Sequence, residues 1–143
     1  MNFANYLDEK IKEEGVKYYG INTGFGSLCD VEISKTEINQ LQENLVKSHA
    51  CGLGDIVPIE IVRIMLILKI QSLAYGHSGI ALKTVERLID MYNADVIPVI
   101  YTQGSLGASG DLAPLAHLSL PILGKGEVWY NAEKITGESL ENH

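Results

Sequence analysis

The residues of this chain best suited to chemistry are concentrated in Gly104–His117, GSLGASGDLAPLAH. The first seven positions hold three glycines, two serines, an alanine and a leucine, so the segment is mostly backbone and can bend tightly. At Ala108-Ser109-Gly110 that composition permits an intramolecular reaction. If a bend brings the Gly110 amide nitrogen onto the Ala108 carbonyl carbon, a five-membered ring closes. Loss of two waters, one of them carrying the Ser109 hydroxyl, leaves a methylidene-imidazolone, an electrophile made from the chain itself. Glycine suits the attacking position because it has no Cβ to obstruct the approach and tolerates strained φ/ψ. A Gly/Ser loop ahead of a helix can alternatively cradle an anion on its amides. Lacking a lysine, and with Asp111 where a phosphate would sit, GSLGASGD suits that role poorly.

A reactive loop needs a scaffold, and the pattern around it is helical. Asn2–Glu14 carries Phe3, Tyr6, Leu7 and Ile11 at three- and four-residue steps, and Gly15 ends it. Val16–Leu28 has no helical period and reads as a loop with extended pieces around Gly20, Gly24 and Gly26. Ser34-Lys35-Thr36-Glu37 is a capping-box pattern that starts a helix running to about Ala50 and burying Ile38, Leu41 and Leu45, with Gly52 and Gly54 as stops. Pro58 falls in the first turn of Ile59–Ala74, which is aliphatic on most sides, as a central, fully surrounded helix requires. Gly76 and Gly79 punctuate it. Leu82–Asn93 is amphipathic through Val85, Leu88, Ile89 and Tyr92, and Val96–Tyr101 reads as a short strand. After the glycine loop, Leu112–Leu123 reads as a short helix capped by Asp111, with Pro114 in its first turn. Glu127–Tyr130 is expected to pair with the stretch around Lys134-Ile135 across Asn131-Ala132, and Thr136–Leu140 opens a further helix. The expectation is one mainly α domain over 1–143, with short β segments and no repeat, linker or low-complexity tract.

The chain has 143 residues, 46% hydrophobic and 20% charged, which suits one compact soluble domain. A formal net charge of -7 without a Lys/Arg cluster argues against nucleic acid and anionic membranes as partners. Cys29 and Cys51 match no metal-ligand spacing and read as reduced intracellular thiols, and no metal is expected. Met1 is followed by NFANYLDEK, which has neither a basic n-region nor an apolar h-region, so no signal peptide is expected. Glu60, Arg63 and Lys69 put too many charges into Ile59–Ala74 for a membrane span. Together these features point to the cytoplasm.

GSLGASGDLAPLAHLSLPILGKGEV, YGINTGFGSL at Tyr19–Leu28 and NLVKSHACGLG at Asn44–Gly54 resemble the signatures of the aromatic amino acid ammonia-lyases and aminomutases. They appear in the family's order and at similar separations, and the resemblance covers nearly all of Tyr18–Leu140. It implies the N-terminal helical domain of the fumarase/aspartase-like ammonia-lyase fold, with the electrophile built from Ala108-Ser109-Gly110.

Site roles follow from the same resemblance. Elimination of ammonia is hard because the β-proton is weakly acidic and the amine is a poor leaving group; the ring addresses the second difficulty. Tyr19 matches the family's general base on the β-proton. A free phenol, with a pKa of about 10, is a poor base near neutrality, so the site must lower it or use it with the amine adduct, and the glycine-rich loop could offer amides to a phenolate. Ser48-His49 matches the selectivity pair of histidine-specific members, where an imidazole can exchange a hydrogen bond with the substrate's imidazole. Asp111 matches a position that assists ring closure and is also suited to N-capping. Asn22 is a candidate substrate or backbone clamp. Tyr18 and His117 read as packing residues, and His77 as a surface residue.

Family members are several times longer, so the resemblance implies an N-terminal portion lacking the long-helix bundle and C-terminal part. It also implies a homotetramer with sites built from several subunits. In isolation the chain is expected to be inactive, with Ser109 intact, and to self-associate. Histidine ammonia-lyase chemistry, L-histidine to urocanate and ammonia, is the leading expectation. A phenylalanine or tyrosine ammonia-lyase or an aminomutase is the alternative, and an inert helical interaction module is the non-enzymatic one.

Overall fold

A computed structural model describes residues 3–11, 16–34 and 37–142 of the chain. Its elements in order are α1 (Phe3–Lys10), α2 (Ile38–His49), β1 (Leu53–Ile56), α3 (Ile59–Ala74), α4 (Leu82–Asn93), β2 (Ile97–Pro98), β3 (Tyr101–Gln103), α5 (Leu112–Ser119), β4 (Glu127–Tyr130) and β5 (Glu133–Thr136). Short 3₁₀ turns at Gly26–Leu28, Gly107–Ser109, Leu120–Leu123 and Gly137–Asn142 fill the connections. The fold is mainly helical, as the periodicity predicts.

Burial explains the arrangement. Val62 and Leu66 of α3, Leu88 of α4, Ile97, Ile100 and Leu118 of α5 form the main core. A smaller cluster joins Met91, Val96 and Val128. Leu66 is fully buried, and truncating such a leucine to alanine typically costs about 2–5 kcal/mol. α4 fulfils the amphipathic expectation with Leu88 and Met91 inward, although Ile89 stays exposed.

Two small antiparallel sheets fix the loops. β1 pairs with β3, Leu53 opposite Gln103 and Ile56 opposite Tyr101, with an irregularity between them. β2, β4 and β5 form the second sheet in that order. The β4–β5 hairpin turns at Asn131 and Ala132, both left-handed at φ 50 and φ 64. Two consecutive positive φ values match the right-handed twist of the flanking strands.

Several expectations are corrected. α1 ends at Lys10, and the expected end at Glu14 and stop at Gly15 lie outside the described residues. Ser34 donates to the Glu37 carboxylate at 2.5 Å, and Glu37 makes no side-chain cap bond to α2; Lys35 and Thr36 lie outside the described residues. Ile38, Leu41 and Leu45 are only half-buried. α3 is not fully surrounded: Ile61, Ile64, Ile67 and Leu68 face solvent. The expected strand Val96–Tyr101 is split into β2 and β3, which pair with different partners. α5 turns 3₁₀ at Leu120 because Pro121 has no amide to donate and its ring crowds the preceding turn. After β5 the chain takes a 3₁₀ turn, held by the Gly137 amide on the Gly126 carbonyl at 2.8 Å.

Candidate active site

Ala108-Ser109-Gly110 lies in an exposed 3₁₀ turn between β3 and α5. Leu106 accepts two bonds, from the Ser109 amide at 2.9 Å and the Ser109 hydroxyl at 2.8 Å. The Gly110 amide donates to the Gly107 carbonyl at 3.2 Å. Gly110 is left-handed at φ 85, ψ 30, and a Cβ there would meet nothing within 4 Å. Conformation, not crowding, therefore calls for glycine here. These residues fit the ring: the hydroxyl to be lost, the small attacking glycine and open space lie together in one tight turn. Closure requires the Gly110 amide to leave Gly107.

Asp111 occupies the N-cap position of α5 in a left-handed conformation, φ 55, but makes no side-chain cap bond. Its carboxylate instead accepts from the Ser105 hydroxyl. That diversion closes the reactive loop on itself and sets a negative group where an anion would bind α5.

Tyr19 is exposed and packs edge-on against Phe25, with ring centroids 5.7 Å apart. Its hydroxyl accepts from the Gly26 amide at 3.3 Å, so the glycine-rich loop does offer a backbone donor to the phenol oxygen. Asn22 is buried. Its Oδ1 accepts from the Tyr18 amide at 2.7 Å and its Nδ2 donates to the Val16 carbonyl at 2.8 Å. Tyr18 itself is half-buried.

Ser48 and His49 form the last turn of α2. The Ser48 hydroxyl donates to the Leu45 carbonyl at 2.9 Å, and His49 Nδ1 lies 2.8 Å from that oxygen and 3.1 Å from Ser48 Oγ. A carbonyl only accepts, so Nδ1 carries the proton. Nε2 makes no hydrogen bond among the described residues.

The pieces are joined through the scaffold. Gln42 of α2 donates to the Gly20 carbonyl in the tyrosine loop at 3.3 Å. α2 packs on α5, and β1–β3 pairing ties the segment after His49 to the start of the reactive loop. Among the described residues no hydrogen bond joins Tyr19, His49 and Ser109 directly. His77 is exposed and stacks on Tyr75. His117 does more than pack, since Nε2 accepts from the Gly52 amide at 3.0 Å. Burial lowers its pKa below 6.5, partly opposed by Glu127. Sequence patterns missed this bond and the Ser105–Asp111 contact; the only signal for the first was a histidine on a helix rich in buried apolar residues, which needs a partner.

A cleft of about 440 Å³ lies elsewhere, lined by Arg87, Asp90, Met91, Tyr130 and Leu140, and holds none of the expected site residues. Cys29 and Cys51 are free, and no cluster of three or more His, Cys, Asp or Glu among the described residues is placed to hold a metal. No described helix is long and apolar enough to cross a membrane.

The sequence and the fold are both similar to those of known proteins. A family profile described as aromatic amino acid lyase matches residues 2–142. The chain is 52% identical over 132 residues to a histidine ammonia-lyase of Caldanaerobacter subterraneus subsp. tengcongensis, covering 92% of this chain and 26% of the relative. Among solved structures, histidine ammonia-lyase from Trypanosoma cruzi superposes with a TM-score of 0.84 at 37% identity, over 98% of this chain and 27% of that one. Phenylalanine aminomutase from Pantoea agglomerans gives a TM-score of 0.89 at 31% identity, over 98% and 27%. The chain thus spans about a quarter of the length of the curated relatives it matches.

Proposed function

The chain belongs to the aromatic amino acid lyase family, and on that basis we propose that it is the N-terminal portion of a histidine ammonia-lyase, which converts L-histidine to urocanate and ammonia. The observation that carries this reading is the pairing of an intact Ala108-Ser109-Gly110 turn with a Ser48-His49 pair whose Nε2 is unengaged.

Once formed, the methylidene-imidazolone supplies an electrophile for the substrate amine, turning a poor leaving group into a good one. The chain's own residues do the rest. Tyr19 takes the β-proton at its hydroxyl oxygen, which the Gly26 amide holds in place. Asn22 fixes the backbone on either side of Lys17, just ahead of Tyr18, and so helps to position Tyr19, while also standing as a candidate substrate contact. His49 presents Nε2 to the substrate imidazole, and Ser48 keeps the His49 ring oriented. During ring closure Asp111 accepts a proton beside Gly110.

The full-length enzyme acts as a cytoplasmic homotetramer, its sites completed by later helices and neighbouring subunits. It needs no metal and binds neither nucleic acid nor membrane, in keeping with a net charge of -7. A phenylalanine or tyrosine ammonia-lyase, or an aminomutase, is the second reading, favoured by the superposition on the Pantoea agglomerans aminomutase. His49→Leu in the full-length enzyme separates them. Losing a hydrogen bond to a buried polar ring costs about 1–3 kcal/mol, so histidine turnover should fall roughly ten- to a hundredfold while folding is kept. Unchanged histidine turnover would transfer the assignment to the second reading.

A further inference from the structure

One side chain links the two halves of the candidate site. The Gly52 amide donates to His117 Nε2 at 3.0 Å, across 65 positions of sequence. An amide can only donate, so Nε2 is bare and the neutral ring carries its proton on Nδ1. Steric fit accompanies the bond. A Cβ at Gly52 would lie 3.0 Å from His117 Nε2, and a Cβ at Gly104 would lie 3.2 Å from Gly52 Cα and 3.4 Å from Ala113 Cβ. Two glycines and one histidine therefore bring together the segment just after His49, the first residue of the reactive loop, and the helix that follows the triplet.

The imidazole is itself anchored. Tyr101 packs edge-on against it, with ring centroids 5.3 Å apart and planes at 69°. The Tyr101 hydroxyl donates to Glu127 Oε2 at 2.6 Å, and Lys134 pairs with Glu127 Oε1 at 2.8 Å. The β4–β5 hairpin thus backs the ring.

We propose that His117 is a positioning residue: its Nε2 clasps the segment behind Ser48-His49 to the helix that begins at the Ala108-Ser109-Gly110 loop, and so sets the separation between the selecting histidine and the electrophile. The positioning role rests on the histidine ammonia-lyase reading, whereas the clasp does not.

Amide hydrogen exchange in the chain reads the clasp, and turnover in the full-length enzyme reads its consequence. His117→Leu keeps bulk and removes the acceptor; His117→Gln restores an acceptor oxygen. Gly52 exchange should speed up about tenfold in His117→Leu and return most of the way in His117→Gln, with the Leu66 and Leu88 amides unchanged in both. In the unaltered chain, nitrogen NMR should show the His117 proton on Nδ1; the opposite tautomer overturns the clasp even if His117→Leu fails to fold. Gly52 exchange indifferent to His117→Leu, or not restored by glutamine, overturns it as well. In the full-length enzyme His117→Leu should cut histidine turnover about tenfold or more, because small misplacements of reacting groups are costly, and His117→Gln should recover it. Turnover indifferent to both variants overturns the positioning role. An unaltered full-length enzyme without histidine turnover, alongside the expected Gly52 exchange, overturns the function and the role that rests on it and leaves the clasp standing.

Discussion

Tyr19 is the proposed base on the β-proton, and the chain adds little to it. The ring is 65% exposed, is steered by Phe25, and has its oxygen touched by one amide, that of Gly26. Tyr19→Phe keeps the Phe25 contact and removes only the hydroxyl. In the full-length enzyme the electrophile should still form, while turnover falls by at least the ~10²–10⁴-fold usual for a general base. Steady-state kinetics beside an ultraviolet spectrum of the ring checks both halves; near-normal turnover would assign the β-proton to another group. Tyr19, Ser48, His49 and the triplet were singled out through the signatures that the chain resembles, and their roles are proposals. Asp111 was legible only in part. Its N-cap position could be read, but its carboxylate bonds Ser105 rather than the helix. His117 packs as expected, but its bond from Gly52 was not legible because that partner lies 65 positions away, and no local pattern reports such a bond.

At the scale of elements, periodicity located α2, α3 and α4 well because glycines and prolines punctuate them. It failed where long-range pairing or a proline decided the outcome, as in the division of Val96–Tyr101 between two sheets and the 3₁₀ turn at Leu120. It also could not tell a helix that is apolar all round from one that is surrounded, hence the misread face of α3. The β4–β5 hairpin and α5 are coupled by groups that titrate. Burial keeps His117 below its ordinary 6.5, so the unfolded chain binds the proton more readily; its contribution to stability is full above about 6.5 and is lost as pH falls through the lowered value. Glu127 is held below 4.5, first by the hydrogen bond from Lys134 and then by that from Tyr101, and its contribution is lost at still lower pH. Stability should therefore fall in two stages on acidification. Urea midpoints followed by fluorescence of the single tryptophan, Trp129, should show His117→Gln flattening the first stage only. An undiminished first stage in that variant would assign it to another group.

Over the whole molecule, the feature that stands out is the outer face of α3. Ile61, Ile64 and Leu68 recur at three- and four-residue steps and are each at least half exposed, on the side opposite Val62 and Leu66. A contiguous apolar stripe of this kind on an isolated chain favours association. The 143-residue chain should oligomerise with rising concentration, and Ile64→Lys with Leu68→Glu should shift it toward monomer in sedimentation velocity; a chain that is monomeric at high concentration without these changes would show that the stripe is tolerated in water. The proposed reading as an N-terminal portion bears on the Ala108-Ser109-Gly110 turn as well. Among the described residues it is held by local bonds, those of Ser109 and Gly110 to Leu106 and Gly107 and that of Ser105 to Asp111, so it should keep Ser109 intact in the isolated chain, because strain of a few kcal/mol persists only where surrounding structure over-determines a loop.

We propose that Ala108-Ser109-Gly110 becomes the electrophile in the full-length enzyme. Trypsin cuts after Arg87 and Lys125 and releases the triplet within Leu88–Lys125, a segment with no internal lysine or arginine. The mass of that peptide from the active full-length enzyme should be lower than its sequence mass by two waters. The unmodified mass, in an enzyme that still turns histidine over, would contradict the account.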